Sequence, residues 1–279
     1  MTSASTALED TPTASRTLQK TNRRTRFNQH LLTWLAAGMF LFLYLPIFIL
    51  IIYSFNENKV VGVWSGFSLR WYGELFQDEA IAKALGVSLW VAFWSTLVST
   101  ILGTLAALSL ERFRFRGKTT FDGVLYLPVI IPDIVMALST LLFFVMFAIP
   151  LSRYTVLIAH IAFNISFVAI VVRARLAGMD ARLEEAAADL GADEWTTFRR
   201  VTLPLLMPGI VAAALLAFTL SLDDFVITFF VAGPGATTLP VRVYSMIKFG
   251  VTPEVNAVST LMFVGSTLLV VFSLLLQRE

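Results

Sequence analysis

Cysteine is absent from the 279 residues, which excludes disulfides, thiolate chemistry and most structural zinc sites. Histidine is nearly absent: His30 and His160 are the only two, too far apart in sequence to suggest a metal site. Charge is scarce as well. Asp, Glu, Lys and Arg make up 14% of the chain, where soluble domains carry about 25%, and so few charges cannot clothe a soluble surface. A soluble enzyme, a disordered regulator and a nucleic-acid binder are thereby excluded. No G-x-x-x-x-G-K-[ST] run occurs, so the chain is not expected to bind or hydrolyse ATP through a P-loop. No nucleophile–base pair or Gly-rich cofactor loop stands out either, and the chain reads as a non-enzyme with no cofactor of its own. What remains is apolar: 57% of the residues are hydrophobic, in runs longer than the ~18 residues that mark a transmembrane helix.

Six charge-poor stretches read as spans: Leu31–Tyr53, Ala84–Leu110, Gly123–Pro150, Tyr154–Val172, Leu205–Val231 and Val255–Leu276. Each can cross a hydrocarbon core of ~30 Å at about 1.5 Å per residue. Period-2 alternation is too weak for an outer-membrane barrel, so the fold class expected is an all-α integral membrane protein with six transmembrane helices. Residues 1–29, rich in Ser, Thr and Arg, read as a disordered tail, and residues 30–279 as the six-span domain. If the N-terminus is cytoplasmic, fifteen Lys and Arg fall on the cytoplasmic side and six on the other. The positive-inside rule then places both termini in the cytoplasm.

The long cytoplasmic loop, residues 173–207, reads as a folded unit, since a loop of that length is usually functional. Asp180 suits an N-cap, and Glu184 and Glu185 follow in the first turns, where the helix dipole favours negative charge. Leu183, Ala186, Ala187 and Leu190 form an apolar stripe. Gly191 ends that helix, Asp193 can cap a second, and Trp195, Phe198 and Val201 share a face of it. Pro204 and Pro208 mark re-entry into the membrane. Periodicity alone is equally compatible with an ordinary amphipathic connector at the interface.

The spacing is more specific. Glu185-Ala186-Ala187, then Gly191, Glu194, Val201 and the pair Leu203-Pro204 resemble the EAA loop of binding-protein-dependent ABC importer permeases, with Val201 where that family usually has Ile. The resemblance implies a MetI-like, type I importer fold and a coupling helix that docks on a cytoplasmic ATPase, with Glu185, Ala186, Ala187, Gly191, Glu194, Leu203 and Pro204 at the contact. It continues through Ile51–Asn56, Gly66–Tyr72, Arg114–Gly117, Pro132–Val135, Ser221–Asp224 and Gly233–Ala257. Together these are similar to the permease subunits of putrescine/spermidine importers, of the shorter, PotC/PotI-like type. Such a resemblance implies a bacterial inner-membrane subunit, a second non-identical permease, an ATPase homodimer that holds ATP and Mg, and a periplasmic polyamine-binding protein. A homodimer of permeases stays open on the sequence.

Asp133, Asp223 and Asp224 are the acidic residues inside expected spans, and no Lys or Arg lies in those spans. An unpaired Asp near the bilayer centre costs ~2.5–3.5 kcal/mol, so each needs a partner: water, a proton, another subunit or a cationic cargo. Asp223 and Asp224 are adjacent and point about 100° apart on a straight helix, so one of them can instead cap a helix restart, as can Asp133 after Pro132. Trp71 suits cation–π contact with a passing ammonium or simple interfacial anchoring. His160 and Asn164, at i and i+4, read as helix–helix polar contacts. The resemblance favours a cation path formed by Asp133, Asp223, Asp224, Ser221 and Trp71. Another cationic solute, ferric iron, or a self-sufficient cation channel or proton-coupled carrier are the alternatives.

Overall fold

A computed structural model describes residues 12–59, 62–180, 182–248 and 250–276. The chain divides into two compact units at Ile52/Tyr53. The first contains nearly all of α1 (Pro12–Tyr53), whose apolar side chains, Trp34 and Phe42 among them, are exposed as a membrane span requires. α1 starts well before the expected span, so residues 12–29 are helical where a disordered tail was expected; residues 1–11 lie outside the described residues. Leu18, Gln19, Lys20 and Arg23 are good helix formers, and extending an existing helix avoids the nucleation cost.

The second unit follows the order α2 (Arg70–Gln77), α3 (Glu79–Arg112), α4 (Lys118–Ile130), α5 (Asp133–Met146), α6 (Arg153–Ala177), α7 (Arg182–Asp189), α8 (Glu194–Thr197), a π-helical turn (Phe198–Thr202), α9 (Leu203–Asp223), α10 (Val226–Val231), α11 (Leu239–Lys248) and α12 (Pro253–Leu276). Among the described residues, five helices are long and apolar enough to cross a membrane, and the number is six if α4 and α5, bent by 112° at Ile131–Pro132, are counted as one span.

Two expected spans are therefore discontinuous. The third was expected as one run, Gly123–Pro150, but Pro132 disfavours helix at Ile131, which is extended at φ −75°, ψ 134°. The fifth was expected as Leu205–Val231, but Asp224 leaves the helix at φ −65°, ψ 126° and α10 restarts beyond it. At the other end of α9 the helix is not interrupted at Pro204. The Leu203 N–H reaches Phe198 O across the π turn, and Pro204 sits where an early helix position tolerates it.

The body is built on α3, α6 and α9. Ala107, Leu110, Leu125, Val168, Ala169, Val172, Ala213 and Ala217 form one buried cluster across these helices and α4. Small residues permit the close approach: a Cβ at Gly103 would stand 2.6 Å from Val168, and one at Gly209 would stand 2.7 Å from Arg175. A second cluster, with Ala137, Phe144, Ile227 and Val231, packs the restarted helices α5 and α10 together. Leu75, Ile81, Ala84, Leu239 and Val258 join α2, α3, α11 and α12.

Candidate functional site

Asp133 opens α5 directly after Pro132 and is exposed, with no side-chain cap hydrogen bond at that helix start. Asp223 ends α9 and is also exposed. Its carboxylate accepts from Ser266 Oγ on α12, at 3.1 Å and 3.3 Å. It borders a cavity of about 470 Å³ lined mainly by apolar side chains, including Leu85, Leu89, Phe218, Leu222 and Met262.

Asp224 differs from its neighbour. Its Oδ2 accepts from the N–H and the Oγ1 of Thr228, both at 2.8 Å, and Oδ1 accepts from the Ile227 N–H at 3.3 Å, so it caps α10. His160 Nε2 lies 3.2 Å from Oδ2. The expectation that the aspartates lack a basic partner is thus corrected for Asp224: the partner is a histidine on α6 rather than a Lys or Arg. Ser221, expected on the path, is buried with its Oγ 2.7 Å from His160 Nδ1. Asn164, one turn beyond His160, is fully buried with Nδ2 and Oδ1 unpartnered among the described residues.

Trp71 is corrected too. It is 3% exposed, and its Nε1–H donates to Asn56 O at 2.7 Å. Asn56 is itself buried and ties the loop together, Nδ2 donating to Val63 O at 2.8 Å and Oδ1 accepting from Ser65 N at 3.0 Å. The Arg70 guanidinium already stands 5.4 Å from the Trp71 ring centroid. An indole buried by its own loop and faced by its neighbour's cation serves that loop's packing.

The second constellation is the α7–α8 knob. The Asp180 Oδ1 accepts from Arg182 N at 3.0 Å ahead of α7. Gly191, at φ +86°, turns the chain out of α7 in the left-handed region, which glycine enters without strain. Asp193 heads α8, where the Thr196 hydroxyl holds its carboxyl below the usual range. Glu185, Ala186, Gly191, Glu194 and Pro204 are exposed, and Ala187 and Leu203 half-buried. Leu183 and Leu190 of the apolar stripe are 48% and 90% exposed, so α7 presents that stripe outward instead of burying it in this chain. Between α7 and α8 lies a cavity of about 380 Å³ lined by Ala187, Leu190, Gly191, Val201 and Arg200 among others.

The knob is anchored by residues outside the motif. Glu184 is ion-paired with Arg112 at the end of α3 and accepts from Thr202 Oγ1 at 2.6 Å. Beside it, Arg173 of α6 pairs with Glu111 of α3 at 2.8 Å and with Asp122 of α4. In the sequence Glu184 shows only its place near a helix dipole; its partner lies 72 residues away and no local pattern marks it.

The profile of the family described as "Binding-protein-dependent transport system inner membrane component" matches residues 99–278. The putrescine transport system permease protein PotI of Escherichia coli (strain K12) is 48% identical over 229 residues, covering 80% of this chain and 82% of that protein. The spermidine/putrescine transport system permease protein PotC of the same strain is 44% identical over 243 residues, 87% of this chain and 92% of its own. Among solved structures, a chain of a bacterial ABC transporter involved in import of the acidic polysaccharide alginate superposes with a TM-score of 0.74 at 20% identity, covering 94% of this chain and 98% of that one. A chain of the MetNI methionine ABC transporter gives 0.59 at 19% identity over 76% and 98%. The fold is the MetI-like permease fold, and the chain belongs to the inner-membrane components of binding-protein-dependent transport systems, the multi-pass permease subunits of ABC importers.

Proposed function

We propose that this chain is a permease subunit of a bacterial ATP-driven polyamine importer, with putrescine ahead of spermidine as cargo. The observation that carries the reading is 48% and 44% identity over most of the chain to a putrescine and a spermidine/putrescine permease. In this reading the chain lies in the inner membrane with both termini cytoplasmic. It works beside a second, non-identical permease, a cytoplasmic ATPase homodimer that binds ATP and Mg, and a periplasmic polyamine-binding protein.

The geometry supports that role at both ends. The outward apolar stripe of α7, with Glu185, Ala186, Ala187, Gly191, Glu194, Leu203 and Pro204 around it, is a surface for the ATPase. Because Glu184 ties α7 to Arg112 and Thr202, a displacement of the knob passes to α3 and α9 as a rigid-body shift rather than dissipating in a loop. Within the membrane, α5 and α10 restart behind Asp133 and Asp224 and pack on each other. Asp133 and Asp223 are the carboxylates left open to a cargo. An ammonium beside each offsets its ~2.5–3.5 kcal/mol insertion cost, and the apolar walls next to Asp223 suit the methylenes of a polyamine. Ser221 and Asp224 hold the α9–α10 break behind that route.

The test is ATP hydrolysis by the assembled complex in nanodiscs. Putrescine-loaded binding protein should raise the rate, and the same binding protein offered sulfate or a neutral sugar should not. A rate indifferent to polyamine would contradict the assignment.

A further inference from the structure

The junction of α9 and α10 is wired to α3 and α6 through an unbroken series of hydrogen bonds. Ser95 Oγ on α3 donates to Ser221 Oγ at 2.9 Å. Ser221 Oγ lies 2.7 Å from His160 Nδ1 on α6. The other ring nitrogen, Nε2, stands 3.2 Å from Asp224 Oδ2 and 3.0 Å from Thr228 Oγ1. Ser95, His160, Ser221 and Thr228 are all buried.

The direction of the series follows from counting protons. The Ser95 hydroxyl has two acceptors in reach, Ser221 Oγ at 2.9 Å and Ala92 O at 3.2 Å. With its proton on the shorter of the two, Ser221 accepts from Ser95 and passes its own proton on, which places the bare nitrogen of the imidazole at Nδ1. Thr228 spends its hydroxyl proton on Asp224 Oδ2 and is an acceptor toward the ring. A proton on Nε2 therefore satisfies Asp224 and Thr228 together, whereas a proton on Nδ1 would set a bare Nε2 lone pair against a carboxylate. Asp224 then receives four donors: the Thr228 amide and hydroxyl, the Ile227 amide and the imidazole. Three of the four fall on Oδ2 and one on Oδ1, so Oδ2 is saturated and the acceptor capacity that remains is on Oδ1.

Among the described residues, Asp224 is the one charged group hydrogen-bonded to His160; its other partners are Ser221 and Thr228, with Ser95 of α3 behind Ser221. Asp133 is the one titratable residue of α5, and Asp223 that of α9, where it bonds to Ser266. Arg173, at the far end of α6, is occupied by Glu111 and Asp122.

We propose that His160 is the positioning residue of the transport path. As a neutral imidazole protonated on Nε2 it holds Asp224 as the cap of α10, fixes the break between α9 and α10, and so sets where Asp223 stands to meet the cargo. The part concerning cargo rests on the importer reading above; the tautomer and the cap do not.

Because the chain has two histidines, a His30→Gln variant labelled with 15N-histidine in the assembled complex reports His160 alone. Solid-state NMR at pH 7 should show a bare Nδ1 and a protonated Nε2. An Nδ1–H tautomer or an imidazolium would overturn the proposal. Uptake of labelled putrescine supplies the second arm, measured at equal amounts of assembled complex. His160→Gln, which keeps an acceptor toward Ser221 and a donor toward Asp224, should keep its maximal rate within about threefold, while His160→Leu should lose about tenfold or more. Wild-type rates in the Leu variant, or a Gln variant as poor as Leu, would overturn it. If the Leu variant does not assemble, the NMR result decides. A wild-type complex that shows the expected tautomer but imports no polyamine would overturn the importer reading and leave the cap assignment standing.

Discussion

Glu184 of α7 is ion-paired with Arg112, the last residue of α3. The two side chains are 30% and 32% exposed, so the pair contributes no more than about 1 kcal/mol to stability, and its value lies in joining the knob to the membrane helices. Glu184→Gln should insert and assemble normally yet import severalfold more slowly, with ATP hydrolysis less tightly coupled to uptake. Arg112→Gln should do the same, and the double variant should be no worse than either. Independent, additive losses in that cycle would show that the pair is not the link.

Gly191 has open space around it, but its φ of +86° penalises any L-residue, by about 1–2 kcal/mol. Gly191→Ala should weaken co-purification with the ATPase modestly, and Gly191→Arg, which also adds bulk to the contact, should abolish uptake with the permease still in the membrane. Normal transport by the Arg variant with the ATPase retained would remove α7–α8 as the contact.

The two loops at Leu151 and Gly233 meet with no room to spare. A Cβ on Gly233 would stand 1.8 Å from Leu151 O and 2.2 Å from its carbonyl carbon, both backbone atoms that cannot swing aside. Gly233→Ala should lower the midpoint of thermal unfolding in detergent sharply or prevent accumulation. Gly86→Ala, on α3 with nothing within 4 Å, should be neutral or raise the midpoint, since alanine is favoured over glycine in helices by up to about 1 kcal/mol. Equal behaviour of the two variants would contradict the packing described.

The three aspartates should separate by role. Asp133→Asn and Asp223→Asn keep size and delete charge, and should lose putrescine uptake without losing assembly. Asp224→Ala removes a helix cap, which typically costs ~1 kcal/mol, and should lower thermal stability where Asp223→Asn does not. Unchanged uptake in both Asn variants would reduce Asp133 and Asp223 to helix-terminal residues.

Much of this was legible in the sequence because the bilayer imposes a length and a polarity that sequence shows directly. α3, α6 and α12 contain their expected spans, and Gly191 turns the chain where the motif places it. What sequence could not supply lies in contacts between distant segments. The Arg112–Glu184 and His160–Asp224 pairs are separated by 72 and 64 residues, so neither leaves a periodic trace. Trp71 looked available because an indole near a membrane surface is usually interfacial, and only the fold shows Asn56 closing over it. The break at Pro132 had a local signal. The one at Asp224 had none beyond the Asp itself, because a cap is defined by the amides it meets.

The most direct test of the account is uptake of labelled putrescine and spermidine into proteoliposomes containing this chain, its partner permease, the ATPase and the binding protein. Accumulation should require ATP on the ATPase side and every component, and should be lost in Asp223→Asn at unchanged assembly. Polyamine flux through this chain alone without ATP, or no accumulation of either polyamine by the complete system, would contradict it.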